Sequence, residues 1–228
     1  MCGRIALYSP PDRIARILDA RLSLGEEEWK PSWNVAPTDP ILGVREDPDG
    51  ARSLRSYRWG LVPMSAKDPA AFKSSFNARA ESIATKPAFR WAFEHSRILV
   101  PVDAFYEWRK EGKSRTPHLF RRADGQPTVF AGLSERWKRP DGSIMYSATV
   151  VTTGAGGDMD QIHDRMPVVL EPDAWDVWLD PGARNRDELE VLLRPGRTGT
   201  LVHHEVSRAV GNVRNNGPEL ILAVSSLS

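Results

Sequence analysis

The chain has 228 residues, 40% of them apolar and 27% charged, with a formal net charge of +1 at pH 7, which suits one β-rich domain and excludes a protein that holds duplex DNA by bulk basicity. Its one cysteine can build neither an internal disulfide nor a thiolate metal cage, and His95, His118, His163, His203 and His204 lack zinc-motif spacing, so no metal and no cofactor is expected. No segment approaches the roughly 18 apolar residues of a membrane span, and no basic stretch followed by an apolar run opens the chain, so a soluble protein of the cytoplasm with no membrane partner is expected.

Ser9-Pro10-Pro11 followed by Ile14, Ile17, Leu18 and Leu22 predicts a capped amphipathic helix with proline in its first turn. Strands are predicted over 41–45 and 55–61, a helix over 87–95, and strands over 97–100 and 105–109. Asp124-Gly125 and Asp141-Gly142 read as hairpin-type turns around strands at 128–133 and 145–152. A strand over 166–170, helices over 173–179 and 186–193, and a strand over 201–206 complete the order. Trp175 and Trp178, at helical spacing, read as core. Residues 183–198 read as a surface helix and loop, a peripheral insertion. Arg52, Arg55, Arg58, Arg121 and Arg122 read as solvated charges, and His203-His204 as structural. Proline and glycine are spread evenly and no fixed period repeats. The pattern predicts one α+β domain, 1–228, with a curved, barrel-like, mostly antiparallel β core and peripheral helices.

The N-terminus carries the most specific chemistry. Cys2 is small enough for an aminopeptidase to clear Met1 before it, leaving an amine of pKa about 7.7–8.0 beside a thiol of pKa about 8.5. Such a 1,2-aminothiol condenses with an aldehyde to a Schiff base, and the thiol then closes a thiazolidine ring. Gly3 lets a substrate approach the backbone, and Arg4 offers a fixed cation suited to phosphate. An incidental cysteine at position two is the ordinary alternative.

Four further segments concentrate polar chemistry. Trp33-Asn34-Val35-Ala36-Pro37 sits at an expected loop. Asn77-Ala78-Arg79-Ala80-Glu81 would present its amide, guanidinium and carboxylate on one face of an extended strand. Phe105-Tyr106-Glu107-Trp108 sets a carboxylate among aromatics, which should desolvate it and raise its pKa towards acid–base use. Ile162-His163-Asp164-Arg165-Met166-Pro167 packs an imidazole between apolar residues with a carboxylate and a guanidinium beside it. Taken singly, a turn asparagine, a solvent-facing glutamate and a hydrogen-bonded structural histidine are the commoner readings.

In order, these segments resemble the SRAP (SOS response-associated peptidase) family of abasic-site processing proteins. Arg58-Trp59-Gly60-Leu61-Val62-Pro63 and Val206-Ser207-Arg208-Ala209-Val210-Gly211-Asn212-Val213 extend the resemblance over nearly the whole chain. The resemblance implies that Cys2 is the nucleophile that links to a ring-opened abasic sugar. It makes Asn77 the amide that positions the sugar, and Glu107 and His163 the pair that forms and reverses the crosslink and removes Met1. Arg4, Arg79 and Arg165 match residues on flanking phosphates, with Thr152 lining the site. Asn34, Pro37, Trp59 and Met64 fall on the implied DNA-binding surface. The implied partner is single-stranded DNA with abasic sites, with replication-fork proteins beside it, a monomeric protein and a place at the nucleoid during DNA damage. Two departures stand out: Met64 takes the place of a stacking tryptophan and lacks its π-face, and Ala104 replaces a glycine. Two other classes compete. An N-terminal-nucleophile amidohydrolase also starts Met-Cys-Gly but usually continues with an apolar residue where this chain has Arg4. A non-enzymatic single-strand-binding module would use Trp33, Trp59 and the arginines alone.

Overall fold

A computed structural model describes residues 2–25, 29–72, 75–183 and 186–224. The strands are β1 (Ile5–Leu7), β2 (Ala20–Leu22), β3 (Ser32–Val35), β4 (Pro40–Glu46), β5 (Arg52–Trp59), β6 (Asn77–Arg79) and β7 (Arg97–Val102). They continue with β8 (Ala104–Glu111), β9 (Ser114–Arg122), β10 (Thr128–Lys138), β11 (Ile144–Gly154), β12 (Arg165–Pro167) and β13 (Leu201–Glu205). The α-helices are α1 (Pro11–Ile17), α2 (Pro87–His95), α3 (Trp175–Leu179) and α4 (Arg186–Val191).

Strands β11, β10, β7, β4 and β5 pair in that order, and β5 pairs back with β11 in parallel at Ser147↔Arg58 and Ala148↔Trp59. That last pairing closes a five-stranded barrel and removes its free edges. Val44, Leu54, Ile98, Val100, Phe130, Leu133, Ala148 and Val150 are fully buried in its core. Close approach at the curve needs Gly132, where an added Cβ would lie 2.6 Å from the Val100 side chain and 3.2 Å from the Thr149 carbonyl. A second sheet runs β13-β9-β8-β1-β3, antiparallel throughout. It has its own apolar cluster around Tyr106, Leu119, Val210 and Leu220.

The α+β barrel-like architecture is the one read from the sequence, with instructive local differences. Pro10, not Ser9, precedes α1, because the Ser9 hydroxyl and backbone N–H are both spent on Asp103. The helix stops at Ile17, and Leu22 lies on β2. Trp33-Asn34 is strand rather than loop. Strand β9 was unread, since Pro117 interrupts an otherwise strand-like run. Asp141-Gly142 does turn the β10–β11 hairpin, with Gly142 at φ +87°. Asp124-Gly125 instead carries the chain from one sheet to the other, since β9 pairs with β8 and β13. The segment read as a peripheral insertion sends Leu189 and Leu193 into the main core; its residues 184–185 lie outside the described residues. Nor are the arginines merely solvated: Arg122 pairs with Asp124 and Glu171, and Arg55 with Asp47. Among the described residues no helix is long and apolar enough to cross a membrane.

Candidate active site

Three segments converge on Cys2. The N-terminal segment runs alongside β8, with the Tyr106 N–H donating to the Arg4 carbonyl at 2.9 Å, which draws Cys2 towards Glu107. Alternation along β8 puts Glu107 on the same side as Phe105 and turns Tyr106 the other way, where its hydroxyl donates to the Trp33 carbonyl at 2.7 Å. On the opposite wall, β6 pairs in parallel with β11, and the Asn77 amide nitrogen donates to the Cys2 carbonyl at 2.7 Å. The turn before β12 then places His163, whose Nε2 is 3.9 Å from the Glu107 carboxylate. That separation is too long for a direct hydrogen bond yet short enough for one substrate atom to contact both groups.

Burial governs the electrostatics. Cys2 is fully buried and Glu107 is 2% exposed. Burial, with the Glu107 charge next to it, pushes the Cys2 thiol far above its usual range, so the sulfur carries its proton at neutral pH. Burial also raises the Glu107 carboxyl, with the His163 charge acting in the opposite direction. The expected raised carboxyl is therefore present, and desolvation is its cause. The Asn77 Oδ1 is buried and accepts no hydrogen bond from the described residues, so the amide has an acceptor left for a ligand hydroxyl. No group of three or more His, Cys, Asp or Glu side chains among the described residues could hold a metal ion.

The three arginines assigned to phosphates differ sharply. Arg4 is half-buried and tied inward: its Nη1 donates to Asn34 Oδ1 and to the Val210 carbonyl, both at 2.8 Å, and its guanidinium lies 5.9 Å from the Trp108 ring centroid. Burial lowers its pKa. Arg165 meets Glu81 through two nitrogens, at 2.5 and 3.0 Å, and donates to the Thr152 carbonyl at 2.6 Å. Only Arg79, on β6, is exposed. The strand ends there, and a 3₁₀ turn, Ala80–Ser82, carries Glu81 round to Arg165; the three-in-a-row strand face expected over residues 77–81 stops at Arg79.

Other expected DNA contacts fall elsewhere. Trp59 is completely buried, its indole N–H donates to the Phe76 carbonyl at 2.9 Å, and it packs edge-on against Phe76; it is barrel core, and its face is closed to a base. Asn34 is buried and donates to the Asn212 and Asn215 carbonyls at 3.0 and 2.7 Å. Thr152 is buried under Arg165. Pro37 is half-buried at the turn that Asp39 closes on the Ala36 N–H. Met64 is 56% exposed on a well-tethered loop: the Val62 N–H donates to Ser147 Oγ, and the Trp137 indole donates to the Ala66 carbonyl. His203 and His118 share a 3.3 Å hydrogen bond, and His204 donates to the Ile221 carbonyl, so all three serve as structural histidines. Sequence reasoning assigned no role to Glu81, or to the carbonyls of Val210, Asn212 and Asn215. The resemblance through residues 206–213 was the available signal for that last group.

Fold and site together define a barrel-based protein in which a buried cysteine near the chain start faces a carboxyl–imidazole pair. The family model described as SOS response associated peptidase (SRAP) matches residues 1–213. The chain is similar to abasic site processing protein YoqW of Bacillus subtilis, 39% identical, covering 97% of this chain and 99% of the relative. It is 32% identical to abasic site processing protein YedK of Escherichia coli, covering 98% and 100%. It is 30% identical to abasic site processing protein HMCES of Xenopus tropicalis, covering 98% of this chain and 78% of the relative. Among solved structures, a Bacteroides thetaiotaomicron protein superposes with a TM-score of 0.88 at 20% identity, covering 98% and 100%, a likeness of fold. A phage-related protein from Bordetella bronchiseptica gives 0.71 at 30% identity, covering 91% and 95%. This chain belongs to the SRAP family.

Proposed function

We propose that this protein processes abasic sites, as its relatives' names describe, by capturing the ring-opened sugar in single-stranded DNA as a thiazolidine on Cys2. The observation that carries the reading is the convergence of Cys2, Asn77, Glu107 and His163 around one buried point. Removal of Met1, a self-processing step for the same carboxyl–imidazole pair, frees the Cys2 amine.

Abasic deoxyribose rests mainly as a closed hemiacetal. His163 gives a proton to the ring oxygen and opens it, while Asn77 holds a sugar oxygen through its open acceptor. The amine attacks the aldehyde carbon; Glu107 takes a proton from the nitrogen and returns one to the departing hydroxyl, which leaves as water. Sulfur acts second: it adds to the imine carbon as its proton passes to nitrogen. One water is lost overall. If ring closure fails, the imine can undergo β-elimination, a weak lyase activity. Arg79, exposed at the end of β6, guides the strand towards the site.

Intact mass tests the reading. Protein lacking Met1, incubated with an abasic single-stranded oligonucleotide, should gain the mass of the DNA minus one water. Cys2→Ala should give no denaturant-stable adduct. A heat-stable crosslink from that variant would overturn the assignment.

A further inference from the structure

One nitrogen of His163 has two partners that make opposite demands on it. The Arg165 backbone N–H donates to Nδ1 at 2.9 Å, which requires a bare lone pair there. The Asp164 carboxylate also lies 2.9 Å from Nδ1, an approach that is favourable only when Nδ1 carries a proton. No single neutral form of the ring satisfies both.

The choice decides what Nε2 can do towards Glu107. With Nδ1 bonded to the amide, the ring's one proton is on Nε2. That form can donate a hydrogen bond, but giving the proton away would leave an imidazolate anion. Proton transfer from Nε2 therefore needs the imidazolium, in which Nδ1 carries a proton as well. Of these two partners, Asp164 can accept a hydrogen bond from that Nδ1–H and the amide cannot. The amide partner is fixed, because Arg165 is pinned by Glu81, by the Thr152 carbonyl and by the β11–β12 ladder. Asp164 is free to respond, with its side chain 88% exposed, while His163 is 16% exposed. The titratable and charged groups around the ring are Glu107 on β8, with Cys2 beyond it, and Asp164 and Arg165 on its own segment, with Glu81 beyond Arg165.

We propose that Asp164 is a positioning residue: it holds the Nδ1 proton that turns His163 from a hydrogen-bond donor into an acid. In the step, solvent supplies a proton to Nδ1, where Asp164 receives it as a hydrogen bond. The Nε2 proton passes to the sugar ring oxygen as the bond from C1 to that oxygen breaks, and the C1 hydroxyl releases its proton to water as the aldehyde forms. The neutral ring left behind keeps its proton on Nδ1, and loss of that proton to water through Asp164 as Nε2 is reprotonated restores the amide-bonded form. Protons balance, and no co-reactant is needed. The inference rests on the proposed ring-opening role of His163.

Loss of one charge-assisted hydrogen bond, at the weak end because Asp164 is exposed to water, corresponds to an effect of about tenfold. The test is Asp164→Asn, measured as crosslinking rate against pH with abasic single-stranded DNA and with a small free aldehyde. At neutral pH the variant should react with DNA about tenfold more slowly, recover on acidification, and match the parent protein with the free aldehyde. Asp164→Glu should restore the parent profile, and ¹⁵N spectra of His163 should lose the Nδ1–H population in Asp164→Asn. A rate–pH profile that superimposes on the parent's overturns the proposal, and so does an equal loss at every pH with both aldehydes. Failure of the underlying reading is separable, because it shows as a stable adduct in Cys2→Ala whatever Asp164 does.

Discussion

Arg165 and Glu81 form a two-pronged ion pair, with Nη1 to Oε1 at 2.5 Å and Nη2 to Oε2 at 3.0 Å, and the same guanidinium is tied to the Thr152 carbonyl. A cation used in this way organises the wall of the site, and its own backbone N–H holds His163. Arg79 lies on β6, which pairs with β11 as β12 does; it is exposed, and among the described residues no ion pair holds it.

The two arginines should therefore fail differently. Arg79→Ala should weaken binding of all single strands alike and reduce the slope of log affinity against log salt by about 0.7, the value for one phosphate contact on a single strand. Arg165→Ala should leave that slope nearly unchanged and slow crosslinking instead. Equal changes of slope in both variants would mean that Arg165 leaves Glu81 when DNA binds.

How much of this was legible beforehand depends on whether the signal is local. Helix α2 was read residue for residue because Pro87 fixes its first turn and Phe89, Ala92 and Phe93 mark one buried face. Cys2, Asn77, Glu107 and His163 stood out as unusual side chains in their own neighbourhoods. Strand β1 gave no such signal: three residues, all buried, make no alternation. The interior position of Trp59 had no local signal either, because barrel closure against β11 is what puts the ring inside. The Arg4–Asn34–Val210 tie joins segments some 30 and 206 residues apart in the chain, which no window along the sequence can contain.

Trp59 gives a prediction about stability. Trp59→Phe removes the hydrogen bond to the Phe76 carbonyl and leaves part of the indole volume empty. The loss should be on the order of 1–3 kcal/mol, read as a lower denaturation midpoint. Affinity for single strands and its salt slope should stay as they are. A selective fall in DNA affinity at unchanged stability would show that the ring is reached by DNA after all.

Glu135 predicts a pH effect on folding. Its carboxyl is buried on β10 and pushed up to about 7 by that burial, with the Met64 backbone N–H acting in the opposite direction. Below about pH 4 the folded and unfolded chains both hold the proton, and the group is neutral to stability. Between about 4 and 7 the unfolded chain sheds it first, so stability falls as pH rises, and above about 7 the full cost persists. Glu135→Gln should thus be more stable than the parent above pH 7, with the gap closing towards pH 4. Thermal midpoints across that range would show it. A variant less stable than the parent at high pH would mean that the bond to the Met64 loop outweighs desolvation.

The last prediction separates Glu107 from His163. They face one another across 3.9 Å, but the proposed chemistry asks different things of them. A free aldehyde needs no ring opening, whereas an abasic sugar does. His163→Ala should therefore slow crosslinking to abasic DNA by roughly 10²-fold or more, the usual cost of losing a general acid, and barely alter thiazolidine formation with a simple aldehyde. Glu107→Gln should impair both reactions, because proton exchange at the amine nitrogen is common to them, and should also slow reversal of the DNA adduct. The same substitution offers a stability readout. Burial raises the Glu107 carboxyl, so its ionisation costs stability as pH rises through the raised value. Glu107→Gln should be the more stable protein at neutral pH and lose that advantage on acidification. Equal loss with both aldehydes in His163→Ala would mean that the imidazole serves the nucleophile, not the sugar ring.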